Sequence, residues 1–63
     1  MMEIRNTEKV VRMFDVVVND LYCSWNIFLE NVESCGWTAE MLQKEIERCD
    51  NRGDFVRLAN RFV

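Results

Sequence analysis

Ten positions spaced alternately three and four residues apart constrain this chain more than any other feature: Ile4, Thr7, Val11, Phe14, Val18, Leu21, Trp25, Phe28, Val32 and Cys35. All but Thr7 are apolar, counting a reduced cysteine as a small hydrophobe. A repeat of 3.5 residues keeps one seam of a helix facing a partner. It predicts a first helix over about 7–35, roughly 42 Å long at ~1.5 Å per residue. In a chain of 63 residues, what remains is too short to cover such a helix. The expectation is therefore a dimer or a bound partner.

At this length a single core is marginal and is commonly reinforced by disulfides, a metal or association. Cys23, Cys35 and Cys49 are odd in number and far apart, and the chain has no histidine. Zinc sites use four Cys or His ligands in closely spaced pairs, so no metal or other cofactor is expected. No signal peptide is evident, and three thiols leave one unpaired. The expectation is a reducing, cytoplasmic setting. Association is the remaining reinforcement.

Punctuation is sparse, with no proline and two glycines. Asn6 or Thr7 can cap the first helix, and Gly36 can end it in the left-handed conformation. Thr38 is a good N-cap for a second helix over about 39–50, with Glu40 in its first turn and Trp37 placed to staple against Leu42. Asn51-Arg52-Gly53 reads as a break. Asp54 then caps a third helix over about 55–62 that turns Phe55, Leu58, Ala59 and Phe62 inward. Val16-Val17-Val18 is β-prone but lies inside the helical repeat, and no alternating run argues for a sheet. The expected fold is one all-α domain over 1–63, with two short helices folded back on a long one and two copies side by side or intertwined.

The back of the first helix supports association. Met13, Val16, Cys23 and Ile27 fall off the seam, and a solvated face carries few such residues. One face would take the chain's own short helices and another a second molecule. The residues expected at the interface are Val11, Phe14, Val18, Leu21 and Trp25, with Met13 and Val16 as a second patch.

Chemistry has little to work with. Without histidine the serines and cysteines lack the commonest activating base, and no Gly-rich phosphate loop is present. Asp15 and Asp20 stand five apart and do not share a helix face. Glu30 and Glu33 do, but a chain this small has little room for a substrate cleft. Catalysis and a small-molecule substrate are not expected. Asp15, Asn19 and Asp20 interrupt the most apolar stretch, so no membrane span is expected. Arg52-Gly53-Asp54 matches an adhesion tripeptide, but its glycine and aspartate already serve the break and the cap.

Eleven acidic residues oppose eight basic ones, a net charge of −3, which gives no general attraction to nucleic acid. The segment 44–63 leans the other way, with Lys44, Arg48 and Arg52 four apart and Arg57 and Arg61 four apart. Two short helices around a tight turn have a helix-turn-helix outline. In that alternative, a dimeric DNA-binding regulator would use Arg52, Arg57, Asn60 and Arg61. The first expectation is a non-enzymatic protein-protein interaction module acting as regulator, adaptor or inhibitor, paired with itself and with another protein.

Overall fold

The computed structural model describes residues 2–63. Four α-helices follow in order: α1 (Glu8–Asp15), α2 (Trp25–Ser34), α3 (Ala39–Glu47) and α4 (Arg52–Asn60), with a π-helical segment, Val16–Asp20, continuing α1. No strand occurs among the described residues. The all-α expectation holds, but the continuous helix over 7–35 does not: it is broken across residues 21–24.

The cause of the break is local. Three β-branched valines followed by Asn19 and Asp20 are poor helix formers. The Leu21 amide reaches back to the Val16 carbonyl at 3.1 Å, and the Cys23 amide to the Val17 carbonyl at 3.0 Å. This widening accommodates an extra residue per turn. Tyr22 follows with φ of 52°, a left-handed conformation that stops a helix. The chain turns back on itself, and the body measures 25 × 22 × 18 Å, with no extended shaft.

The break also shifts the apolar phase. In α2 the stripe is buried as expected, Phe28 and Val32 at 0% exposure. In α1 the buried track is Val10, Met13 and Val17, one residue earlier than the seam, joined by Val16. Met13 and Val16, expected at a second surface patch, are thus core residues. A one-residue step turns a helix by about 100°, which sends Val11 and Phe14 outward.

The other ends follow side-chain and backbone capping. Thr7, the polar member of the stripe, caps α1 by accepting from the Val10 amide at 3.2 Å. Gly36, at φ of 83°, closes α2. Its amide donates to the Glu33 carbonyl and the Trp37 amide to that of Val32, the paired bonds of a Schellman motif. Thr38 caps α3 through the Met41 amide. For α4 the cap is Asn51, which accepts from the Asp54 amide at 3.0 Å, while Asp54 reaches back to the Asp50 amide. Arg52 and Gly53 therefore lie inside the last helix, which starts three residues earlier than the sequence suggested.

The core forms where these elements converge. Phe28, Phe55, Met13, Leu42 and Ile46 are its largest fully covered side chains. Lys9 donates to the Glu47 carbonyl at the end of α3, placing a cation where helix carbonyls are unsatisfied. Asn31 donates to the Phe62 carbonyl at 2.9 Å, tying α2 to the C-terminal segment.

Candidate interaction surfaces

The displaced stripe forms a groove. Val11 is 54% exposed and Phe14 45%. Phe14 leans on Trp25 with ring centroids 5.5 Å apart and a 57° tilt. Trp25 in turn stacks on the buried Phe28 at 5.3 Å. Ile4, Asn6 and Val10 complete the walls of a depression of about 400 Å³. The aromatic chain from core to surface fixes the groove's shape in the free chain, since Trp25 cannot rotate without displacing Phe28. On the same helix, Glu8 and Arg12 pair at 2.8 Å in a largely exposed contact.

Three of the seven residues expected at the interface, Val11, Phe14 and Trp25, are thus brought together on one surface. Val18 and Leu21 are half-buried, and Leu21 packs against the core. Met13 and Val16 are inaccessible. Ile4 belongs to the stripe and does reach the groove. Val10 lines it too, being the member of the buried track nearest the surface.

The basic residues are mostly engaged with the chain itself. Arg52 donates to Asp20 through Nε at 2.9 Å and Nη2 at 2.7 Å, and to Asp15 through Nη1 at 3.0 Å. These bonds hold the Asp20 carboxyl below the usual carboxylate range and make Arg52 still harder to deprotonate. Arg57 pairs with Asp54, whose carboxyl is held low chiefly by the Asp50 amide and also by Arg57. Asn60 and Arg61 are exposed. Of the four residues named for nucleic-acid contact, two are occupied by carboxylates.

A second depression, of about 430 Å³, lies where α3 meets the C-terminal end of α4. Trp37 and Met41 form its apolar part, and Lys44, Glu45, Arg48 and Arg61 surround them. Trp37 packs edge-on against Phe62 at 4.9 Å and 80°. The sequence held part of this signal in Lys44 and Arg48, one helical turn apart. The meeting with Arg61 and Trp37 depends on the turn between α3 and α4.

No group of three or more His, Cys, Asp or Glu side chains is placed to hold a metal ion among the described residues. No helix there is long and apolar enough to cross a membrane. No protein-family model matches the chain, and neither a curated protein nor a solved structure matches it.

Proposed function

We propose that this chain is a small non-enzymatic protein-protein interaction module, a regulator, adaptor or inhibitor, that pairs with a second copy of itself through the outward face of α1. The observation carrying this reading is the preformed apolar groove. Two large side chains, Val11 and Phe14, stand about half exposed on one helix beside a depression walled by Ile4 and Trp25.

A second copy suits this groove because projection and depression belong to one patch. A two-fold interface needs self-complementarity, each residue meeting its counterpart's neighbour. Phe14 of each copy is the projecting group and the Ile4–Trp25 wall the receiving one. The Glu8–Arg12 pair on the same helix offers both signs to a second copy. Covering the exposed halves of Val11 and Phe14 on both copies contributes on the order of 3–6 kcal/mol before the cost of association. The expected dimer is consequently weak and reversible.

Sedimentation equilibrium of the reduced protein from about 10 µM to 1 mM tests this, the upper end matched to a binding energy of roughly 4 kcal/mol. The expected result is a monomer-dimer equilibrium that Phe14→Asp shifts to monomer while the far-UV circular dichroism stays helical. A monomer throughout, or a dimer indifferent to Phe14→Asp, would overturn it. The DNA-binding alternative has less support, since it would have to recruit arginines already held by Asp15, Asp20 and Asp54.

A further inference from the structure

Four of the chain's arginines have a carboxylate within ion-pairing distance: Arg12 with Glu8, Arg48 with Glu45, Arg52 with Asp15 and Asp20, and Arg57 with Asp54. Lys44 and Arg61, like Arg5 and Lys9, have none among the described residues, although the chain carries an acidic surplus. Lys44 and Arg61 line the same depression between α3 and the end of α4, and Arg48 joins them there. The Arg48–Glu45 contact is long, 3.4 Å, and the Arg48 side chain is 79% exposed, so this pair is easily exchanged. Three cations thus surround one cleft with a single carboxylate between them.

The floor of that cleft is apolar, adaptable at Met41 and fixed at Trp37. Met41 is 43% exposed, a flexible, polarisable side chain suited to receiving varied apolar groups. Trp37 is held by its edge-on contact with Phe62 and by its amide, which closes α2 on the Val32 carbonyl. Little ordering is left for a ligand to impose on Trp37.

The geometry points to an acidic peptide segment of a partner protein as the occupant, with an apolar side chain seated on Met41 and Trp37 and carboxylates on Lys44 and Arg61. Charge complementarity selects this chemistry. Glu45 distinguishes a peptide from a nucleic acid. Its carboxylate lines the cleft and repels phosphates, whereas a peptide backbone offers N–H groups that it can accept. The cleft is also short, the size of two or three side chains, and its cations form a cluster with no track for a phosphate backbone. This surface involves none of the groove residues. It rests on the reading of the chain as an interaction module and is separate from the self-pairing, so a dimer would carry two such clefts.

The test is fluorescence anisotropy with a labelled ten-residue peptide in which two leucines and a phenylalanine are set among glutamates, in about 50 mM salt, where surface charge is weakly screened. Saturable binding at one peptide per chain is expected. Lys44→Gln combined with Arg61→Gln should weaken it at least about tenfold, Met41→Ser by about threefold, and added salt progressively. Phe14→Asp and Arg12→Glu, on the α1 face, should leave it unchanged, which separates this proposal from self-pairing. Circular dichroism of each variant verifies that the fold persists. Four results would each overturn the proposal: no saturation by about 1 mM; equal weakening by Arg12→Glu; tighter binding of a ten-nucleotide single strand with the same variant sensitivity; or loss of the dimer in the Lys44/Arg61 variant, which would make a second copy the occupant.

Discussion

Arg52 grips Asp20 through two parallel hydrogen bonds, Nε to Oδ2 at 2.9 Å and Nη2 to Oδ1 at 2.7 Å. The planar guanidinium matches the carboxylate fork, and its remaining nitrogen takes Asp15 at 3.0 Å. One side chain of α4 thereby clamps both ends of the π-helical segment. Lysine has three N–H donors but no planar fork, and so cannot reproduce the paired grip on Asp20.

The clamp predicts a pH dependence. The Asp20 carboxyl is depressed in the folded chain, first by its hydrogen bond to Arg52. The unfolded chain therefore takes up this proton more readily. The stabilisation is complete above the ordinary carboxylate range, about pH 4, and is lost as pH falls through the lower folded value. Arg52→Ala should lower the thermal midpoint at pH 7 by roughly 3 °C, and Arg52→Lys by less. Melts followed by circular dichroism should show that difference shrinking as pH falls below the ordinary carboxylate range.

Met13→Ala opens a hole in the core, where that side chain has 0% exposure. It should cost about 2–4 kcal/mol in urea unfolding. Val11→Ala, two residues away and more than half exposed, should change stability by about 0.5 kcal/mol or less while weakening self-association. Were Val11→Ala the more damaging to the fold, the assigned phase of α1 would be wrong.

Tyr22 carries a left-handed backbone at φ of 52° with its side chain 89% exposed. The strain is offset by few contacts. Glycine tolerates this conformation freely but adds entropy to the unfolded chain. Tyr22→Gly should therefore raise stability, by up to about 1 kcal/mol. A fall in the urea midpoint would mean that the phenol ring contributes more than its exposure suggests.

The cysteines should differ in reactivity. Cys35 is exposed, Cys23 half-buried and Cys49 buried. Burial pushes the Cys49 thiol up, with Asp54 and Glu45 adding to the effect. A disulfide exchange reagent at about pH 8 should modify Cys35 first, Cys23 next and Cys49 only as the chain opens, since the thiolate is the reacting form. Prompt labelling of Cys49 would contradict its placement.

The caps were legible because each rests on one residue's own chemistry: Thr7, Gly36 and Thr38 stand where their hydroxyl or missing side chain is needed. The phase of α1 was not. Val10-Val11, Met13-Phe14 and Val17-Val18 are apolar pairs, so two adjacent tracks carry the same spacing and periodicity cannot choose between them. The choice depends on α3 and α4, which lie far along the chain. Asn51 and Asp54 posed a similar ambiguity. Both are good capping residues, and the earlier one starts the helix: Asn51 accepts from the Asp54 amide, while the Asp54 carboxylate takes the Asp50 amide. Of the α1 groove, Ile4, Val11, Phe14 and Trp25 were visible in the stripe. The second cleft was not, because Arg61 and Trp37 meet only through the fold.

Between Val16 and Ser24 the chain also escapes a competing shape. Drawn out as one unbroken helix, the sequence would carry both apolar tracks along a single rod, open from end to end. Rods of that kind bury their seams only by winding around one another. The widened turn and the left-handed Tyr22 bend the rod at mid-length, so that Phe28 meets Phe62 from the far end of the chain. The strained hinge turns a sequence with the periodicity of a coiled coil into a globule.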